Sequence, residues 1–180
     1  AMNLDFNYAF GRPLGNGVFR CSNKDFIVDE NLGFEPAGEG EHLYVHIQKN
    51  GENTSWVADK LADFFQVKTM DVGYCGKKDR NAITTQWFSV YLPGVVSEID
   101  WAQFIQQYQL DIRVLFAARH HRKLRRGNHQ SNAFTICLRD LSQIDEALQR
   151  LNKIAVEGVP NYFGEQRFGR EGSNLTLARA

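Results

Sequence analysis

Two early stretches alternate apolar and polar residues with a period of two. KDFIVDE does so around Phe26 and Val28, and EGEHLYVHIQKNG around Leu43, Val45 and Ile47 before stopping at the turn signal Asn50-Gly51. Each predicts a half-buried β-strand. The period then changes. Val57, Leu61, Phe64 and Phe65 recur at helical spacing behind Asn53 or Thr54 as cap, which predicts a helix ending near Val67. GYCGKKD reads as a short strand running into a glycine-containing loop, and QWFSVYLPG as a strand closed by Pro93-Gly94. Asp100 is placed to cap a second helix carrying Trp101, Phe104, Ile105 and Tyr108. Two more β-like runs follow, IRVLFAA and NAFTICL, the latter with Phe134, Ile136 and Leu138 on one face. SQIDEALQRLNKIAVEG has the clearest helical period, with Ser142 to cap it and Gly158 to close it.

Strands and helices alternate irregularly, with hairpin-like links and no repeating βαβ unit. The expected class is α+β rather than doubly wound. There is no internal repeat and no low-complexity tract. The last stretch, NYFGEQRFGREGSNLTLARA, is dense in aromatic and charged residues and reads as an interrupted chain, while Ala1-Met2 reads as an expression remnant.

With 180 residues, 43% of them apolar and 12% aromatic, the chain has enough material for one domain with a proper core. Lys plus Arg and Asp plus Glu both number 21, so net charge supplies no general pull toward nucleic acid or membrane. Attraction has to come from local segregation. Residues 25 to 41 hold six acids and no Lys or Arg, whereas RHHRKLRR, residues 119 to 126, holds five bases and no acid, which predicts a dipolar surface. Cys21, Cys75 and Cys137 are odd in number and lack CxxC spacing, which argues against a disulfide framework or zinc site. No apolar run approaches a membrane span or a signal-peptide core. The expected setting is the cytoplasm, with no membrane association.

The candidate chemistry starts at GYCGKKDRNAITTQWFSV, where Asp79 follows Lys77 and Lys78 and precedes Arg80. On composition, GKKD reads as a solvated turn. The competing reading is that the cations depress the pKa of Asp79 and keep it ionised, as a carboxylate nucleophile or base requires. RHHRKLRRGNHQ is either a solvated hairpin or a phosphate-contact surface. His120, His121 and His129 have no carboxylate or cysteine at ligand spacing, so metal is not expected. Phe26 is most simply a core aromatic, and Asn132 a strand-start residue. The alternative pairs an aromatic face for stacking on an unpaired base with an amide for the polar edge of that base.

DFIVDE, GEGEHLYVHIQKNGENT, GYCGKKDRNAITTQWF, KLRRGNHQSNAFT and GVPNYFGEQRFGREGSN occur in the order found in the TruD family of tRNA pseudouridine synthases. The chain resembles that family from about Gly11 to Asn174, which implies a mixed, mostly antiparallel sheet flanked by helices. The resemblance implies an isomerase that converts uridine to pseudouridine in tRNA, in this family at position 13 of the D arm, without cofactor or metal. It implies that Asp79 is the catalytic aspartate. Phe26, Asn132 and Phe134 fall at substrate-contacting positions, Lys78 travels with the catalytic motif, and Arg20 stands where a basic partner of the acid belongs. Lys77, Arg80, Arg122, Lys123, Arg125 and Arg126 are then the residues expected to hold RNA phosphates.

The family continues into an inserted domain and returns with further strands. Residues 1–180 are therefore expected to be the N-terminal portion of its catalytic domain, with the remaining segment a candidate partner chain. The rival reading is a module that binds or remodels tRNA without chemistry; a glycosidase that releases free uracil is a third. Asp79 discriminates the first two.

Overall fold

The computed structural model describes residues 7–94, 98–162, 164–168 and 174. The chain divides into two compact units, one spanning Val18–Arg139 and the other combining Ala1–Gly17 with Asp140–Ala180. Part of the last sequence motif, Phe163 and residues 169–173, lies outside the described residues, as does the Ala1-Met2 start.

The larger unit contains β1 (Val18–Phe19), β2 (Phe26–Asn31), β3 (His42–Asn50), α1 (Thr54–Phe64), β4 (Val72–Tyr74), β5 (Ile83–Tyr91), α2 (Trp101–Tyr108), β6 (Ile112–His120), β7 (Ser131–Ile136) and β8 (Leu138–Arg139). Its main sheet has the order β6-β3-β5-β2-β7, with β4 also paired to β5. Only β2 and β5 run parallel; the other pairings are antiparallel. The mixed, mostly antiparallel α+β architecture is the one expected.

Alternation decides what each strand presents. Leu43, Val45 and Ile47 of β3 join Phe88 and Val90 of β5 against Val57, Ala58, Leu61 and Ala62 of α1, all buried, and this is the main core. Asn53 caps α1, its side-chain oxygen accepting from the backbone N–H groups of Ser55 at 2.9 Å and Trp56 at 3.4 Å. Asp100 caps α2 through Gln103 N–H at 2.9 Å. Both helices end on a left-handed glutamine, Gln66 and Gln109, with Val67 N–H bonded back to Ala62 O and Leu110 N–H to Ile105 O. Neither stop carries the glycine that usually announces one.

Two expectations about connections are corrected. β6 and β7 do not form a hairpin across the basic segment: β6 pairs with β3 at one edge of the sheet and β7 with β2 at the other. The run NAFTICL is also not one strand. It breaks at Cys137, whose N–H goes to Asp25 O, and Leu138 pairs instead with Phe19 in the β1–β8 ribbon.

The smaller unit contains α3 (Ile144–Glu157), closed by Gly158 at φ 73° as expected. Ser142 does not cap it. Its hydroxyl accepts from Asn16 N–H at 2.8 Å and donates to Asn16 O at 3.2 Å, and Gln143 takes the cap position with a left-handed backbone.

Candidate active site

The Asp79 loop connects β4 to β5 and is tied down on several sides. Lys78 N–H donates to Thr54 Oγ1 at 3.0 Å, and Thr54 Oγ1 donates to Gln86 Oε1 at 3.0 Å. Gln86 Nε2 in turn reaches Gly76 O at 3.2 Å, and Arg80 Nε reaches Gly51 O at 3.2 Å. These bonds hold the backbone before Asp79 and the Arg80 side chain after it. The carboxylate is thereby presented from a fixed turn, with its side chain 41% exposed.

The cations that crowd Asp79 in sequence do not surround it in space. Lys78 turns inward and forms an ion pair with Glu30, a side chain fully shielded from solvent, whose other oxygen accepts from Trp87 N–H at 3.0 Å. Arg80 donates from Nε to Gly51 O, and both it and Lys77 are exposed. The cation that meets Asp79 comes from far away in the chain: Arg20 Nη2 lies 3.4 Å from Asp79 Oδ2. Arg20 has φ 60°, a left-handed conformation that costs a non-glycine residue of order 1 kcal/mol or more. Its guanidinium also lies 3.9 Å from the centroid of the Phe26 ring.

Strand register assembles the wall of the site. Phe26, Val28 and Glu30 face the same way on β2, opposite Ile136, Phe134 and Asn132 of β7. Phe26 is buried at 8% exposure, as a core aromatic would be, while Phe134 meets it edge-on at 6.1 Å and is itself 58% exposed. Val28, Phe134, Asn132, Lys77, Lys78 and Asp79 line one small cavity of about 160 Å³, together with Gly76 and His129. Asn132 Nδ2 lies 3.1 Å from His129 Nε2, and Asn132 Oδ1 is buried with no hydrogen-bond partner among the described residues. An unpaired amide oxygen beside an exposed aromatic ring is an arrangement that can accept a polar planar ligand.

The fold brings together atoms that spacing in sequence kept apart: Glu30, Cys75 and His129 offer ligand atoms within 4.8 Å of one another. That carboxylate, however, is already held by Lys78 and Trp87, and burial pushes the Cys75 thiol up to about 11. The set fits an ion poorly, because a metal would need the thiolate and would displace a buried ammonium.

The bases expected on one RNA surface occupy separate places. Arg80 lies by Glu52, Trp56 and Asp59 in a second cavity. Arg122, Lys123 and Arg125 line a third and much larger one, about 1020 Å³, with Phe34, Tyr44, His120 and His121. Arg126 is exposed and lines none of these three. The segment is pinned by Leu124, which is 1% exposed and whose N–H donates to Ser89 Oγ at 2.9 Å. The predicted charge separation is softened, because the end of the acidic stretch docks on the start of the basic one. Ala37 N–H donates to His120 Nδ1 at 3.1 Å and Gly38 N–H to Arg119 O at 2.9 Å.

The family tRNA pseudouridine synthase D (TruD) matches residues 5–177. The chain belongs to the TruD family. A curated relative from Cellvibrio japonicus, tRNA pseudouridine synthase D, is 53% identical over 182 aligned residues that cover 99% of this chain. A crystal structure from Methanosarcina mazei, described as tRNA pseudouridine synthase D, superimposes with a TM-score of 0.67 at 31% identity, over 85% of this chain and 35% of that one. This TruD chain spans about half, 53%, of the length of its Cellvibrio relative.

Proposed function

We propose that this protein isomerises uridine to pseudouridine in tRNA, at position 13 of the D arm, with Asp79 as the catalytic carboxylate and no cofactor. The observation that carries the reading is the single small cavity that holds a tethered aspartate, an unpaired amide oxygen on Asn132 and the exposed ring of Phe134. A uridine stacked in folded tRNA cannot present C1′ to a carboxylate, so the nucleotide swings out into this cavity. Phe134, and Phe26 once Arg20 leaves its face, offset part of the lost stacking, and Asn132 accepts from the N3–H of the uracil edge. Asp79 then either attacks C1′, forming a sugar ester as the glycosidic bond breaks, or takes the 2′ proton to give a glycal. In both routes uracil turns, rejoins through C5, and the C5 hydrogen leaves.

Arg20 balances the carboxylate and Lys78 fixes the loop from within. Lys77, Arg80, Arg122, Lys123, Arg125 and Arg126 act on phosphates, which makes binding salt-dependent and largely indifferent to base identity. The three cysteines are free, which suits a reducing cytoplasm.

The test is tritium release from tRNA carrying C5-labelled uridine, with the parent protein and Asp79→Asn in parallel. The expected result is release by the parent and a loss of at least about 10³-fold in the variant, with tRNA affinity within about twofold. Turnover retained by Asp79→Asn would remove Asp79 from the reaction. Binding of tRNA by the parent without release would favour a remodelling role.

A further inference from the structure

Lys49 is a residue that the expected site does not include. It sits near the end of β3, is 1% exposed, and its Nζ has no hydrogen-bond partner among the described residues. Its cross-strand neighbour on β5, Thr84, also has a buried hydroxyl with no partner among the described residues. A buried ammonium left unpaired is among the most costly arrangements available to a fold. Strand β3 requires no charge there, since Ile47, on the same face, is apolar and fully buried. The lysine therefore serves something other than stability.

Position indicates what it serves. The turn immediately after Lys49 is the one to which the Asp79 loop is tied: Gly51 O receives Arg80 Nε, and Thr54 Oγ1 receives Lys78 N–H. The charged groups that act on the ammonium are Lys78, Asp79 and Glu52, and the charge of Lys78 is already matched by Glu30. Burial first, and then Lys78, push Lys49 down to about 8, while Asp79 and Glu52 pull it up. The other cation of Asp79, Arg20, rests on the face of Phe26, which a stacked base would have to occupy. When substrate takes that face Arg20 has to shift, whereas Lys49 is fixed in the sheet.

We propose that Lys49 is a positioning residue for the isomerisation: its buried ammonium, held at the strand end that braces the Asp79 loop, supplies fixed positive charge to the Asp79 carboxylate while substrate displaces Arg20. This rests on the reading of Asp79 given above.

The experiment uses the intact protein, with Lys49→Met, Lys49→Arg and Asp79→Asn. Single-turnover rates, tRNA Kd, Tm and the titration of ε-13C-labelled Lys49 are measured. Lys49→Met should lower the single-turnover rate about ten- to hundred-fold, with Kd within about twofold and Tm unchanged or raised, since an apolar side chain relieves the buried charge. Lys49→Arg should recover most of the rate. The parent rate should fall above about pH 8, with this limb moved upward in Lys49→Arg and missing in Lys49→Met. In Asp79→Asn the Lys49 titration should move to lower pH, because the carboxylate that raises it is gone. A Lys49→Met rate within twofold of the parent, or a Lys49 titration that Asp79→Asn leaves in place, would overturn the inference. So would a Tm that falls together with the rate without rescue by arginine. An Asp79→Asn variant that still turns over would instead sink the Asp79 reading, and the two failures are thus distinguished.

Discussion

Residues 77–80 and 119–126 both concentrate bases, and the fold uses them in opposite ways. In the first stretch the charge that matters structurally points inward: Lys78 is anchored on Glu30, and both side chains are nearly or wholly removed from solvent. In the second the anchor is apolar. Leu124 is buried while Arg122, Arg125 and Arg126 stay in water around it. A loop held by a buried ion pair keeps its neighbours in one geometry, because each charge is tolerable only beside the other. A loop held by a leucine leaves its charges free for a ligand. Equal density of bases in sequence thus marks a rigid site wall in one place and a contact surface in the other.

Breaking the inward anchor should give the largest effect on stability. Glu30→Ala leaves the Lys78 ammonium buried without its partner and Trp87 N–H without its acceptor, and should cost about 3–5 kcal/mol in urea unfolding. The double change Glu30→Leu with Lys78→Met should recover much of that stability but not turnover, since the loop then loses its fixed register. If Glu30→Ala unfolds at the parent's urea concentration, the contrast between the two loops is wrong. The outward bases should behave differently. Arg122→Ala with Arg125→Ala should leave unfolding within about 0.5 kcal/mol of the parent, as exposed surface changes usually do. It should weaken tRNA binding and reduce the slope of log K against log salt by about 1 to 2, which a salt titration of tRNA binding would measure.

The same contrast explains what the sequence made legible. The strand period at Leu43, Val45 and Ile47 and the helix period through Val57 and Leu61 follow directly from burial on one side, and the expected elements appeared there. Asp79, Asn132 and Phe134 were found by motif and do share one cavity. The family resemblance put Arg20 forward as the basic partner of Asp79, and the two do meet, but the partner of Lys78 was not legible: nothing in GKKD says that it will choose Glu30, 48 residues earlier. Pairing of this kind depends on which strands lie side by side, and β7 joining β2 is what places Asn132 opposite Glu30. Lys49 was hidden for a related reason. In HLYVHIQKN it occupies an apolar-phase position of the strand, and a lysine near a strand end ordinarily reads as an exposed terminus. Helix stops misled more gently: Gln66 and Gln109 adopt a conformation that a reader of sequence assigns to glycine or asparagine.

A third ion pair sharpens the comparison at its small end. Arg139 grips Asp25 through two hydrogen bonds of 2.7 and 2.9 Å, joining the β1–β8 ribbon to the turn before β2. Here only one partner is buried: the Asp25 side chain is 2% exposed and that of Arg139 is 52%. The guanidinium holds the Asp25 carboxyl down at about 2, against an ordinary value of 3.8. A depressed carboxylate contributes stability that is present above its unfolded pKa and is lost as the pH falls through its folded one. The contribution should therefore be complete above about pH 4 and fade between about 4 and 2. Arg139→Ala should lower stability modestly at neutral pH and flatten that part of the acid-unfolding curve, measured as Tm against pH. A variant curve parallel to the parent's across this window would mean that the pair, well formed as it is, carries no linked proton. Its half-exposed guanidinium would then belong with the outward bases of residues 122–126 rather than with the buried anchor at Lys78.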